Sequence, residues 1–184
     1  MSADETAQQP GRRLVLLRHA KSAWPEEVAD HERPLAARGR RDAPAVGRWL
    51  GESGWVPDAV LCSTALRARE TWALAGPALA AARPASQPAA APAVRFEPRI
   101  YEATVLGLLM LVREFEPRWR TVLMVGHNPG LAELTIGLAG PEPEPPDAFP
   151  TAFAAVLGLR GEWADTSPGE GRLLGFTVPA RLRG

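Results

Sequence analysis

The chain has 184 residues, 46% of them apolar and 23% charged, with 21 Lys plus Arg against 21 Asp plus Glu. That length suits a single domain with a sizeable core, and the balanced charge argues against the basic surface that nucleic-acid binding needs. No run approaches the roughly 20 apolar residues of a membrane span and the polar opening is unlike a signal peptide, so a cytoplasmic protein without membrane partners is expected.

Residues 1–12 read as a disordered tail, which leaves 13–184 as one domain. Leu14-Val15-Leu16-Leu17 reads as a buried strand that ends abruptly in Arg18-His19. Such a pair marks either a strand reaching solvent or a site, because ligands of open α/β sheets gather beyond the carboxyl ends of the strands. A loop follows to about Pro34. It contains His31, which has no partner at metal-ligand spacing and reads as a plain loop residue.

A helix is predicted from about Leu35 to Glu52, then a strand over Asp58 to Cys62. Ser63 is a good N-cap for a helix from about Ala65 to Ala82, interrupted or kinked near Pro77. Arg67 lies about one turn into it, either as a surface cation or facing the crevice, whereas Arg69 reads as solvated. Cys62, the single cysteine, allows no intramolecular disulfide and reads as a small buried hydrophobe. Ala81 to Pro92 is an Ala/Pro-rich surface loop.

Further on, Val94 to Phe96 is a short strand, Val105 to Phe115 a helix, and Thr121 to Val125 a second fully buried strand. It runs into Gly126-His127-Asn128-Pro129-Gly130, and Leu131 to Leu138 is again helical. Gly140 to Pro150 is a proline-rich acidic loop, and Ala152 to Leu159 and Leu173 to Val178 are strands, antiparallel and towards the sheet edge. Strands alternating with helices predict an α/β fold, a three-layer α/β/α sandwich with a mostly parallel central sheet. Two of the three histidines stand at or just past the end of a predicted central strand, which points to function rather than packing. The six tryptophans are scattered and read as packing, with Trp49 and Trp72 at core-like helix positions and Trp163 in a late polar region.

Leu16-Leu17-Arg18-His19-Ala20-Lys21-Ser22, Arg33-Pro34-Leu35 with Gly39, Ser63-x-x-x-Arg67-Ala68-x-x-Thr71 and Val125-Gly126-His127 form an ordered set of motifs. Over roughly 13–160 the chain resembles the histidine phosphatase superfamily, and in particular its SixA-like phosphohistidine phosphatase branch. The resemblance implies a phosphoglycerate mutase-like sandwich and a phosphate pocket of Arg18, His19, Arg67 and His127, with His19 as nucleophile. A neutral imidazole can attack phosphorus to give a phosphoenzyme, and planar guanidinium forks suit the phosphoryl oxygens. Gly126 is expected to permit close backbone approach.

The chain departs from the family pattern at Ala20, where the commonest first motif has Gly, and at Pro25, where mutase relatives carry Asn. Ser22 stays a candidate phosphate contact. Glu102 is the candidate general acid, or else a pre-helix acid favoured by the helix dipole. No metal or other cofactor is implied. The expected function is a phosphatase, with a protein phosphohistidine domain as leading substrate and small phosphomonoesters second. A catalytically silent phospho-ligand binding protein is the alternative of another class. The short chain leaves little room for a lid, so an open pocket is expected.

Overall fold

Three apolar runs too short for helices line up in parallel, and the computed structural model places them at the centre of one mixed sheet. It describes residues 11–86, 90–139 and 149–182. The elements are β1 (Arg12–Arg18), α1 (Ala37–Glu52), β2 (Ala59–Cys62), α2 (Leu66–Ala82), β3 (Ala93–Phe96), α3 (Val105–Arg113), β4 (Thr121–Gly126), α4 (Gly130–Leu138), β5 (Ala154–Leu159) and β6 (Arg172–Thr177). Strand order is β3-β2-β4-β1-β5-β6. The first four are mutually parallel, while β5 runs antiparallel to β1 and β6 antiparallel to β5. The sandwich and its antiparallel late strands are as the alternation predicted.

Alternation along β1 divides the core. Leu14 and Leu16 join the cluster under α3 and α4, whereas Val15 and Leu17 join the one under α1 and α2. Both faces of the central strands are therefore covered, which is why they read as unbroken apolar runs. β1 begins at Arg12, the residue on which the expected tail ended, and its guanidinium pairs with Glu162. Residues 1–10 and 140–148 lie outside the described residues, as do 87–89 of the Ala/Pro-rich loop.

Helix boundaries depart from expectation for local reasons. α1 starts at Ala37 rather than Leu35, because Leu35 bridges to Ser22 and donates its backbone N–H to Glu70 Oε2 at 2.6 Å. α2 is not interrupted at Pro77 but runs on to Ala82. It is held along its length by α1, whose Gly47 and Gly51 lie against the backbone of Ala75 and Leu79, on either side of the proline. Trp163, placed by its neighbours in a polar region, is fully buried: its indole N–H donates to the Trp119 carbonyl and its ring meets Phe115.

A Cβ at position 47 would sit 2.1 Å from the Ala75 carbonyl oxygen, so the two helices would have to separate. Gly47→Ala is expected to lower stability by about 1–3 kcal/mol through overpacking, outweighing the gain in helix propensity. Urea unfolding of the variant measures it.

Candidate active site

The site arises where three parallel strands end together. In the β1–β4 pairing Arg18 stands opposite Gly126, and the His19 N–H donates to the Gly126 carbonyl at 2.9 Å. The Ser63 N–H donates to Val125 in the same way, at 2.9 Å. The first residues beyond β1 and β2, and the loop beyond β4, thus deliver His19, Ser63 and His127 to one crevice.

His19 is buried, and its Nδ1 lies 2.8 Å from the Ala20 carbonyl oxygen. A carbonyl only accepts, so Nδ1 carries the proton and Nε2 presents its lone pair. Burial, with Arg67 and Arg18 nearby, lowers its pKa to about 4 against the favourable Ala20 bond, so the ring is neutral at pH 7. Thr71 completes the setting: its Oγ1 accepts from the Ala20 N–H at 2.9 Å and donates to the Arg67 carbonyl at 2.6 Å. The Thr of the third motif thereby fixes the peptide that fixes the histidine.

The His127 ring is tilted by 51° to that of His19, with centroids 5.1 Å apart. Its Nε2 is 2.8 Å from Ser63 Oγ, and its buried Nδ1 has no hydrogen-bond partner among the described residues. Burial, then His19 and Arg67, lower its pKa to about 3. Ser63 is therefore not the N-cap expected of it. α2 starts from Ala65, and the fully buried Ser63 hydroxyl instead joins His127 and the Ala65 N–H. At Gly126 a Cβ would meet the Ile100 and Leu131 side chains, so its smallness is a packing requirement.

Both arginines reach the crevice and both are tethered. Arg18 Nη1 donates to the Phe149 carbonyl at 2.6 Å, and Asn128 Nδ2 donates to the same oxygen at 3.0 Å. Arg67, buried on the first turn of α2, donates from Nη1 to the Asp30 carbonyl at 2.5 Å and from Nη2 to Asp30 Oδ2 at 2.9 Å. Asp30 also accepts from Arg33 Nη1 and the Tyr101 hydroxyl, each at 2.8 Å. These three partners, Arg33 foremost, hold its carboxyl well below the usual carboxylate range, so it has no proton to give.

Sequence reasoning missed Asp30, although an acid three residues before the Arg33-Pro34-Leu35 motif was a readable i,i+3 pair. It undervalued His31 as well. That ring bonds Thr64 Oγ1 through Nε2 at 2.9 Å and meets the edge of Tyr101, whose own ring meets His127 at 5.6 Å. All three histidines and the single tyrosine therefore form one run of rings along the crevice.

The remaining candidates are nearby but less engaged. The buried Ser22 hydroxyl accepts from Arg33 Nη2 at 2.7 Å, which leaves its proton available. Glu102 is exposed, at φ 55°, and lines a cleft of about 450 Å³ with His127, Asn128 and Glu133. Cys62 is buried with its thiol pushed up to about 12, which removes it as a nucleophile. Among the described residues no group of His, Cys, Asp and Glu is placed to hold a metal, and no helix is long and apolar enough to cross a membrane.

Residues 14–88 match the model of the histidine phosphatase superfamily, branch 1. The fold superposes on a structure from Nakamurella multipartitia named as a phosphohistidine phosphatase SixA, with TM-score 0.75 and 31% identity over 91% of this chain and 96% of that one. The chain belongs to the histidine phosphatase superfamily, in its SixA-like branch. It is accordingly a phosphatase. A protein of Mycobacterium tuberculosis strain H37Rv, of uncharacterised function, is 41% identical over 170 residues, covering 89% of this chain and 99% of its own. A SixA-named structure from Agrobacterium tumefaciens agrees at TM-score 0.69 and 26% identity, over 92% of this chain and 99% of that one.

The two depressed histidines make a stability prediction. With folded values of about 4 and about 3 against 6.5, the unfolded chain binds more protons below pH 6.5, so stability falls as pH falls. Urea midpoints are expected to drop between pH 7 and pH 5, where carboxylates contribute little. A His19→Gln, His127→Gln double variant flattens that slope.

Proposed function

We propose that the protein is a phosphohistidine phosphatase working through a phosphoryl-enzyme at His19 Nε2. The observation that carries this reading is the bond from His19 Nδ1–H to the Ala20 carbonyl, at 2.8 Å, which commits the neutral ring to the tautomer with Nε2 as nucleophile. In the first step the Nε2 lone pair attacks phosphorus and the bond to the leaving group breaks. Water then attacks the phosphohistidine, the P–N bond breaks, and phosphate leaves with His19 neutral again.

Arg18, Arg67 and His127 surround the transferring group. Charge-assisted hydrogen bonds from the two guanidinium groups contribute about 1.5–3 kcal/mol each, concentrated where charge spreads over the equatorial oxygens. His127, held at Nε2 by the Ser63 hydroxyl, faces His19 across the crevice at a centroid distance of 5.1 Å. The Ser22 hydroxyl, held by Arg33, has a proton to offer on the same side.

The leaving group sets the need for an acid. An alkoxide needs a proton, for which Glu102 on the cleft beside His127 is the candidate, whereas a protonated phosphoimidazole departs as neutral imidazole. A macromolecular substrate also suits the rim, where Trp24 lies 74% exposed on the loop that carries Asp30, its ring under the Arg33 guanidinium. A phosphohistidine-bearing protein domain is therefore the proposed partner, in keeping with the name of the Nakamurella relative.

Hydrolysis of an aryl phosphate and of a phosphohistidine protein should both vanish in His19→Ala, with no acid-labile phosphoenzyme formed; more than a few per cent residual activity contradicts the assignment. Arg67→Lys loses the fork geometry and is expected to lower kcat by about 10²–10³. Glu102→Gln should slow aryl phosphate hydrolysis and spare phosphohistidine. Because His19 deprotonates near pH 4 in the free enzyme, the acid limb of kcat/KM should be centred near pH 4 rather than at the ordinary histidine value.

A further inference from the structure

Arg67 meets an anion before any substrate arrives. Both of its terminal nitrogens are engaged by one residue, Nη1 by the Asp30 carbonyl and Nη2 by the Asp30 carboxylate. The same carboxylate is held by Arg33 and Tyr101, so three donors from three separate segments fix it. This is more than a casual surface ion pair: the Arg67 side chain is 8% exposed, and buried guanidinium charge is costly unless paired.

We propose that Asp30 is a specificity-determining residue, a resident anion that orients the remaining N–H groups of Arg67 towards the crevice and restrains its affinity for phosphate. The proposal rests on the reading of Arg67 as a phosphate ligand. Two effects separate within one side chain. Its oxygen atoms hold the guanidinium in register, and its charge offsets one of the cationic charges that an incoming dianion meets. A site of fully unbalanced arginines would hold inorganic phosphate, the product, as firmly as it holds the substrate's phosphoryl group. Uniform binding of that kind adds nothing to turnover. With Asp30 in place, ground-state anions bind against a standing competitor, and contacts from the remainder of the substrate decide what is retained.

The observed arrangement gives the charge effect a definite direction. Asp30→Asn keeps an oxygen for Arg67 and removes the charge, so inorganic phosphate should inhibit more strongly, its inhibition constant falling by about tenfold, as expected for loss of one nearby charge at a partly exposed site. If Asp30 were only a brace, the same substitution would loosen Arg67 and the inhibition constant would rise.

The experiment is competitive inhibition of aryl phosphate hydrolysis by inorganic phosphate, in the wild-type protein and in Asp30→Asn and Asp30→Gln, both of which keep a side-chain oxygen for Arg67 and remove the charge, at fixed ionic strength. Stronger inhibition in both variants, with a parallel fall in KM, is the expected result. An unchanged or raised inhibition constant in either folded variant overturns the proposal, and thermal melts identify a variant that has not folded. Should one fail to fold, the other decides. Wild-type protein that neither turns over the aryl phosphate nor binds phosphate would instead overturn the phosphatase reading, which keeps the two failures distinguishable.

Discussion

The parallel pairing of β1 with β4 is the constraint on which the rest depends. Register there sets Arg18 against Gly126, and one further hydrogen bond, from the His19 N–H to the Gly126 carbonyl, carries the pairing past the last strand residue. Two imidazoles far apart in the chain are brought to a centroid separation of 5.1 Å by backbone bonds rather than by their own attraction. A slip of either strand by one residue would turn its own side chains to the other face of the sheet and part the two rings, so the apolar alternation that builds the two cores also aligns the chemistry. Close-packed helices lock that register from both sides, with α1 and α2 in near backbone contact at Gly47 and Gly51.

A second layer of constraint is polar and less regular. Ala20 orients His19, Thr71 orients Ala20, and Thr71 itself is bonded to the residue that bears the second guanidinium. Arg67 is bound in turn to Asp30, and through it to Arg33 and Ser22. The motif residues are therefore not independent contributors to a pocket. From His19 to Ser22 they form a chain of donors and acceptors in which each residue is held by the next.

Much of this was legible in the sequence because strand ends are. A run such as Leu14 to Leu17 followed by Arg18-His19 states both a buried strand and where it stops, and Thr121 to His127 repeats the statement. What stayed hidden depends on contacts across the chain. Ser63 had every local mark of a helix cap, yet its hydroxyl is spent on His127, 64 positions away. Trp163 read as packing in spite of its polar neighbours, and what stayed hidden was the means, a 3-10 turn that points its ring inward while the flanking side chains reach water. His31 looked idle because nothing local reveals that the loop folds back on Thr64 and Tyr101. Gly126 was expected to permit close backbone approach, and nothing local reveals that Ile100 packs where its side chain would be.

The Phe149 carbonyl accepts from both Arg18 and Asn128, and so joins the ends of β1 and β4 at a point supplied by neither. Immediately afterwards the Ala152 N–H returns to the Arg18 and His19 carbonyls as the chain enters β5. Phe149 is thus anchored twice, by its main-chain oxygen and by its buried ring, which packs against Phe153 at a centroid distance of 4.5 Å. The aim of Arg18 therefore depends on a peptide oxygen whose place is set by aromatic packing, so a change in that packing would reach the guanidinium without altering any residue that lines the crevice.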